Sequence, residues 1–83
     1  MRGLTKKERR AVEMEIKKTN FNWEKLRIIV DHRDYGEFHT VNLTIMDNAK
    51  SQVLFIPFKS APDIKRIVTQ LGRIVPVVSE AIN

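Results

Sequence analysis

The chain contains no cysteine. Disulfide staples, thiolate metal centres and cysteine nucleophiles are excluded, and the composition fits a reducing interior. The expected compartment is therefore intracellular, either cytoplasm and nucleoid or nucleus. Glycine is scarce, with Gly3, Gly36 and Gly72 far apart, so no glycine-rich loop can cradle a phosphate. No apolar run is long enough to span a bilayer, and no apolar stretch follows the basic start as a signal peptide would require. No membrane partner is expected. No nucleophile has an evident base, and the carboxylates are scattered among cations, so no acid–base pair stands out. The sequence therefore predicts no enzyme, no cofactor and no small-molecule substrate. His32 and His39 flank a turn, and their parity places them on opposite faces. A zinc site needs three or four converging ligands, so no metal is expected.

What the chain does have is positive charge, unevenly placed. Fifteen Lys and Arg stand against ten Asp and Glu, a formal charge of +5. Residues 1–33 hold ten cations and five carboxylates, whereas residues 34–83 hold five of each. Such asymmetry suits a polyanion, nucleic acid before membrane surface, and it equally suits a solubilising face. Eighty-three residues make one domain whose core is marginal alone, so pairing with a second copy would help hold it.

Residues 1–10 read as a basic N-terminal arm in which Thr5 and Glu8 could cap a short helix. Residues 11–83 form the domain proper. Within 11–18, Val12, Met14 and Ile16 alternate at strand period while the residue types favour helix. A first helical turn followed by an extended segment is expected, with helix the alternative. Thr19 to Asn22 reads as a turn. Three strands follow, at about 25–33, 38–46 and 51–58. They are joined by tight turns at Asp34-Tyr35-Gly36-Glu37 and Asp47-Asn48-Ala49-Lys50, which imply an antiparallel meander.

Alternation gives this sheet two faces. Leu26, Ile28, Val30, Val41, Leu43, Ile45, Leu54, Ile56 and Phe58 form an apolar face. The opposite face carries Lys25, Arg27, Ile29, Arg33, Phe38, Thr40, Asn42, Thr44, Val53, Phe55 and Lys59, with Trp23 and Tyr35 at the strand ends. Cations for phosphates, rings for base stacking, and hydroxyls and amides for polar contacts are what an unpaired nucleic-acid strand requires. An ordinary solvent-facing sheet is the plain alternative.

The last quarter has helical spacing at Ile64, Ile67, Val68, Leu71, Ile74, Val75, Val78 and Ile82. Ser60 and Asp63 offer a capping box, and Pro76 predicts a kink. Beyond the kink the helix would be apolar nearly all round. Its end would need a second chain, with Ile74, Val75, Val77, Val78 and Ile82 as the dimer interface. The expected fold is thus α+β: a curved antiparallel meander of three to four strands, then a C-terminal helix kinked near Pro76 that pairs two chains.

Three stretches carry a family resemblance. They are Phe21-Asn22-Trp23-Glu24-Lys25-Leu26-Arg27, Arg33-Asp34-Tyr35-Gly36, and Ile74-Val75-Pro76-Val77-Val78-Ser79-Glu80-Ala81-Ile82. From Phe21 onward the chain resembles the DNA-binding domain of the transcriptional positive cofactor 4 family, whose members are single-stranded-DNA-binding coactivators. The resemblance implies a homodimer paired through its helices, with curved sheets channelling single strands. It also implies a role in transcription, replication or recombination, and contacts at Lys25, Arg27, Arg33, Tyr35 and Phe38. The chain departs from the family in its short loop at 47–51 and in a strand 38–46 without Lys or Arg. The residues and the resemblance together predict a non-catalytic single-stranded DNA or RNA binder. Its site would be Lys25, Arg27, Arg33, Tyr35, Phe38, Thr40, Asn42, Phe55 and Lys59. A duplex-DNA regulator and a protein-interaction or assembly module are the alternatives.

Overall fold

The computed structural model describes residues 1–81. Helix α1 covers Lys6–Thr19. Its start is a complete capping box: the Glu8 N–H donates to Thr5 Oγ1 at 3.1 Å, and the Thr5 N–H donates to Glu8 Oε1 at 2.8 Å. Lys17 and Lys18 lie in the last turn, where cations suit the helix dipole, and Asn20 closes the helix in the left-handed conformation at φ 56°. The extended segment expected over 11–18 is therefore replaced by continuous helix, and the boundary drawn between residues 10 and 11 falls inside it. The alternation of Val12, Met14 and Ile16 misled because only Val12 and Ile16, four apart on one helical face, meet the core. Met14 is left 69% exposed.

Residues ahead of α1 are tied down as well. Gln70 acts as a side-chain clasp: the Leu4 N–H donates to Gln70 Oε1 at 2.7 Å, and Gln70 Nε2 donates to the Leu4 carbonyl at 3.0 Å. The Asp63 N–H donates to the Arg2 carbonyl at 2.9 Å. The Arg2 guanidinium pairs with Glu8 at 2.7 Å and lies 4.1 Å from the centroid of the Phe58 ring. Burial pushes the Glu8 carboxyl up, but bonds from Arg2 and Thr5 outweigh it and hold the group below the usual carboxylate range. Gln70→Ala removes both ends of the clasp. It should cost about 1–2 kcal/mol, read as a lower urea midpoint at unchanged slope. An unchanged midpoint would show that the clasp adds nothing.

A 3-10 turn at Trp23–Lys25 leads into strands β1 (Arg27–Asp34), β2 (His39–Met46) and β3 (Ser51–Phe58). These pair as an antiparallel meander with Ile28 opposite Ile45 and Val41 opposite Ile56. Gly36 takes φ +87° in the first turn, a conformation that favours glycine. Helix α2 then covers Ile64–Gly72. It starts later than the Ser60 cap would place it, because Asp63 is the N-cap and accepts from the Arg66 N–H at 3.1 Å.

The C-terminal expectation is overturned. Helix α2 ends at Gly72 with no kinked continuation, and Val77–Ala81 form strand β4. Strand β4 runs parallel to β1, with Val77 beside Arg27 and Val78 beside Ile28, so the sheet is mixed with order β3-β2-β1-β4. The physical reason lies at Pro76. It has no N–H to extend the helical ladder, and the β-branched pair Val77–Val78 that follows prefers a pleated surface. The apolar residues read as a dimer interface are shared between the two faces of the sheet. Val75 is 3% exposed in the core, Ile74 and Val78 pack against that core, and Val77 is 52% exposed. Ile82 lies outside the described residues. Ile74, Val75 and Val78 are thus covered, wholly or in part, within one chain.

Both helices lie on the apolar face. Leu4, Val12, Leu26, Ile28, Val30, Val41, Leu43, Ile45, Ile56, Phe58, Ile67, Leu71 and Val75 form one core, as the alternation of the strands predicted for the sheet residues. Among the described residues no helix is long and apolar enough to cross a membrane.

Candidate nucleic-acid interface

With both helices on one side, the other face of the sheet carries no packed layer. Strand register fixes its rows. Asp31, Asn42 and Phe55 lie side by side, as do Ile29, Thr44 and Val53, and as do Arg33, Thr40 and Pro57. Phe55 is 69% exposed and Val53 also faces solvent. Strand β4 extends the face with Val77 and Ser79, paired to Arg27 and Ile29. These last residues were missed as part of the face. The signal was present in the alternation that follows Pro76.

The hairpin between β1 and β2 closes one end. The Tyr35 N–H donates to the Phe38 carbonyl at 3.0 Å, and Asp34 Oδ1 accepts from the Gly36 N–H at 2.8 Å. These bonds set the Tyr35 and Phe38 rings in a stack, with centroids 5.0 Å apart and planes 21° from parallel. Phe38 also lines a hollow with Arg2, Pro57, Phe58, Lys59 and Ser60, which brings Lys59 to the same end. Lys25 and Arg27 stand exposed at the opposite end of β1. Six steps of strand separate Arg27 from Arg33, roughly 20 Å.

The predicted site residues therefore fall into two groups joined by an uncharged middle. Arg33, Tyr35, Phe38, Thr40 and Lys59 gather at the hairpin end. Lys25 and Arg27 mark the other, and Asn42 and Phe55 lie between. The charge on this face is weaker than the sequence suggested. Arg33 Nε contacts Asp31 Oδ2 at 3.1 Å, so one of its cations is already paired. Asp31 Oδ1 and Asn42 Oδ1, from register partners, are shielded from solvent and accept no hydrogen bond from the described residues. An N–H donor is the group this spot lacks.

The histidine expectation is corrected. His32 and His39 lie on the same face of the sheet as Val30 and Val41, because the hairpin register carries an even position of β1 onto the odd positions of β2. Their rings stack at 5.1 Å, and His32 Nε2 lies 2.9 Å from His39 Nδ1, so one ring donates and the other accepts. Asp34 Oδ1 lies 3.7 Å from His39 Nδ1. Among the described residues no cluster of three or more His, Asp or Glu could hold a metal ion.

Comparison with family models, with characterised proteins and with solved structures finds no significant match to this chain.

Proposed function

We propose that the chain is a non-catalytic nucleic-acid-binding module that lays an unpaired strand across the open face of its sheet. The observation that carries this reading is the uncovered face itself, with Phe55 exposed on its edge strand β3 and the Tyr35–Phe38 stack at its hairpin end. Rings on a rigid sheet stack on bases at little entropic cost and without reading their identity. Thr40, Thr44 and Asn42 supply donors and acceptors between them. Lys25 and Arg27 at one end, and Arg33 and Lys59 at the other, meet the phosphates.

The paucity of charge on this face gives the proposal a quantitative signature. Three or four phosphate contacts predict a salt slope of roughly −2 to −3 for a single strand, a loss of about 30-fold between 50 and 200 mM salt. Phe55→Ala should weaken binding to an oligo-dT 20-mer by about 1–3 kcal/mol in a fluorescence-anisotropy titration, with little change in melting because the ring is exposed. Equal affinity of wild type and an Arg27/Arg33/Phe55 triple alanine variant would remove this reading. Sedimentation of the free protein tests whether a second copy closes the open face.

A further inference from the structure

The fold moves the positive charge away from the face that the sequence assigned it to. Residues 1–20 carry seven cations against three carboxylates, and residues 60–76 carry three against one, a net +6. Residues 21–59, which hold the meander, carry five of each, and Glu80 is the one charge after Pro76. More than the whole excess charge of the protein therefore lies on the helical layer, behind the sheet.

We infer that this helical layer is a second binding surface, and that its partner is the phosphate backbone of duplex nucleic acid. Helix α1 turns Val12 and Ile16 into the core, so Lys6, Lys7, Arg10 and Lys17 are left to solvent. Helix α2 buries Ile67 and Leu71 and leaves Lys65, Arg66 and Arg73 outside. The two rows approach one another where Glu13, Ile16 and Lys17 of α1 share a hollow with Trp23, Arg73 and Ile74.

The spacing of the rows decides among polyanions. Helix α1 touches β3, while α2 touches β1 and β4 at the other side of the sheet. At ~4.8 Å per strand, the strands that the two helices touch lie roughly 10–14 Å apart across the sheet. That separation is close to the width of the B-DNA major groove, about 12 Å, so each row can follow one of the two phosphate strands. An unpaired strand offers only one row of phosphates and would want rings to stack on. The cation rows themselves carry no ring: Trp23 and Phe55 lie at the margins of α1, in hollows with Lys17 and with Lys7. An anionic membrane is the poorer fit, because a helix lying in the lipid interface needs a free apolar face. The apolar side of α1 is spent on the core, and Met14 alone among its large apolar residues is well exposed. This surface stands independently of the sheet reading. If both hold, one molecule can engage a single strand and a duplex at once, as at a junction between them.

The test is a fluorescence-anisotropy titration of full-length wild type and of a quadruple variant (Arg10→Gln, Lys17→Gln, Lys65→Gln, Arg73→Gln). Probes are a 20-base-pair duplex and an oligo-dT 20-mer, each at 50 and 200 mM salt, with vesicles of phosphatidylserine and phosphatidylcholine as a third arm. Glutamine keeps helix propensity at these exposed sites, and circular dichroism melting verifies that the variant is folded. Wild type should lose on the order of 1,000-fold in duplex affinity over this salt range if about six phosphates are contacted. The variant should lose at least tenfold more on the duplex than on oligo-dT, with a duplex salt slope shallower by about 3–4. Equal losses on both oligonucleotides, an unchanged duplex slope, or tighter binding to vesicles than to duplex would each overturn the inference. None of these outcomes touches the Phe55 result on oligo-dT, so failure of one surface is distinguishable from failure of the other.

Discussion

Val75→Asp should unfold the domain, whereas Val77→Asp, two residues along, should leave its melting temperature nearly unchanged. Val75 is 3% exposed and belongs to the core with Ile67 and Leu71. A carboxylate there enters the apolar core and must either stay buried as a charge or bind a proton, at a cost of about 3–5 kcal/mol. A domain of this length has roughly 4–12 kcal/mol of stability to lose, so the melting point should fall by 15 °C or more, or the transition should vanish. Val77 is 52% exposed on the open face, and its strand neighbour is Arg27. A carboxylate at that position remains hydrated and sits beside a cation, so the change should be within about 1 kcal/mol. The contrast separates two accounts of the C-terminus. A kinked helix pairing two chains puts both residues in one interface and predicts similar damage from both. In the observed fold Val75, in the bend after α2, turns into the core, while Val77, in β4, faces the open side beside Arg27. Thermal melts of the two variants, with sedimentation of the soluble one, decide between them, and equal destabilisation would sink the strand account.

The meander was readable because three local signals agreed: β-branched alternation in 27–34, 39–46 and 51–58, a glycine at the positive-φ position of the first turn, and an Asp-led turn at 47–50. That agreement also made the open face readable, since register follows from turn length and places Thr40, Asn42 and Phe55 together. The C-terminus was not readable for a different reason. Val75 and Val78, three apart, satisfy helical spacing, and Val77 and Ser79 satisfy strand spacing, within a run too short for periodicity to choose. What chooses is a parallel pairing with β1, fifty residues earlier in the chain (Ile28 beside Val78), and local pattern does not report that contact. The charge distribution escaped for a related reason. Lys17 and Arg73 are distant in sequence, and only the packing of both helices on one face gathers them on the layer opposite Phe55.

Replacing Asp47 with Asn should lower the melting temperature on the order of 10 °C at pH 7, with a difference that shrinks as the solution is acidified. Asp47 is 4% exposed, the one buried charged side chain among the described residues. Its carboxylate accepts from the Asn22 N–H at 2.7 Å, from the Ala49 N–H at 2.7 Å and from the Lys50 N–H at 2.8 Å. Lys50 in turn donates from Nζ to the carbonyls of Thr19 and Asn20 at the end of α1. The pair ties the β2–β3 turn to the α1–β1 connection. The three N–H donors, with Asn22 foremost, hold the Asp47 carboxyl below the usual range. In the unfolded chain the group returns to about 3.9. Between the folded and unfolded values the unfolded state binds more protons, so stability rises with pH there. The contribution is fully present above about pH 5 and fades as pH falls through the folded value, where a protonated oxygen can no longer accept from every donor. Asparagine mimics that end state at every pH, because its NH2 group faces an N–H that formerly had an acceptor. Glu8 is shifted in the same direction and titrates identically in both proteins, so it cancels in the comparison. Melting curves from pH 7 to pH 3 should therefore converge. Parallel curves across that range would show that the Asp47 carboxylate holds no more than an amide can.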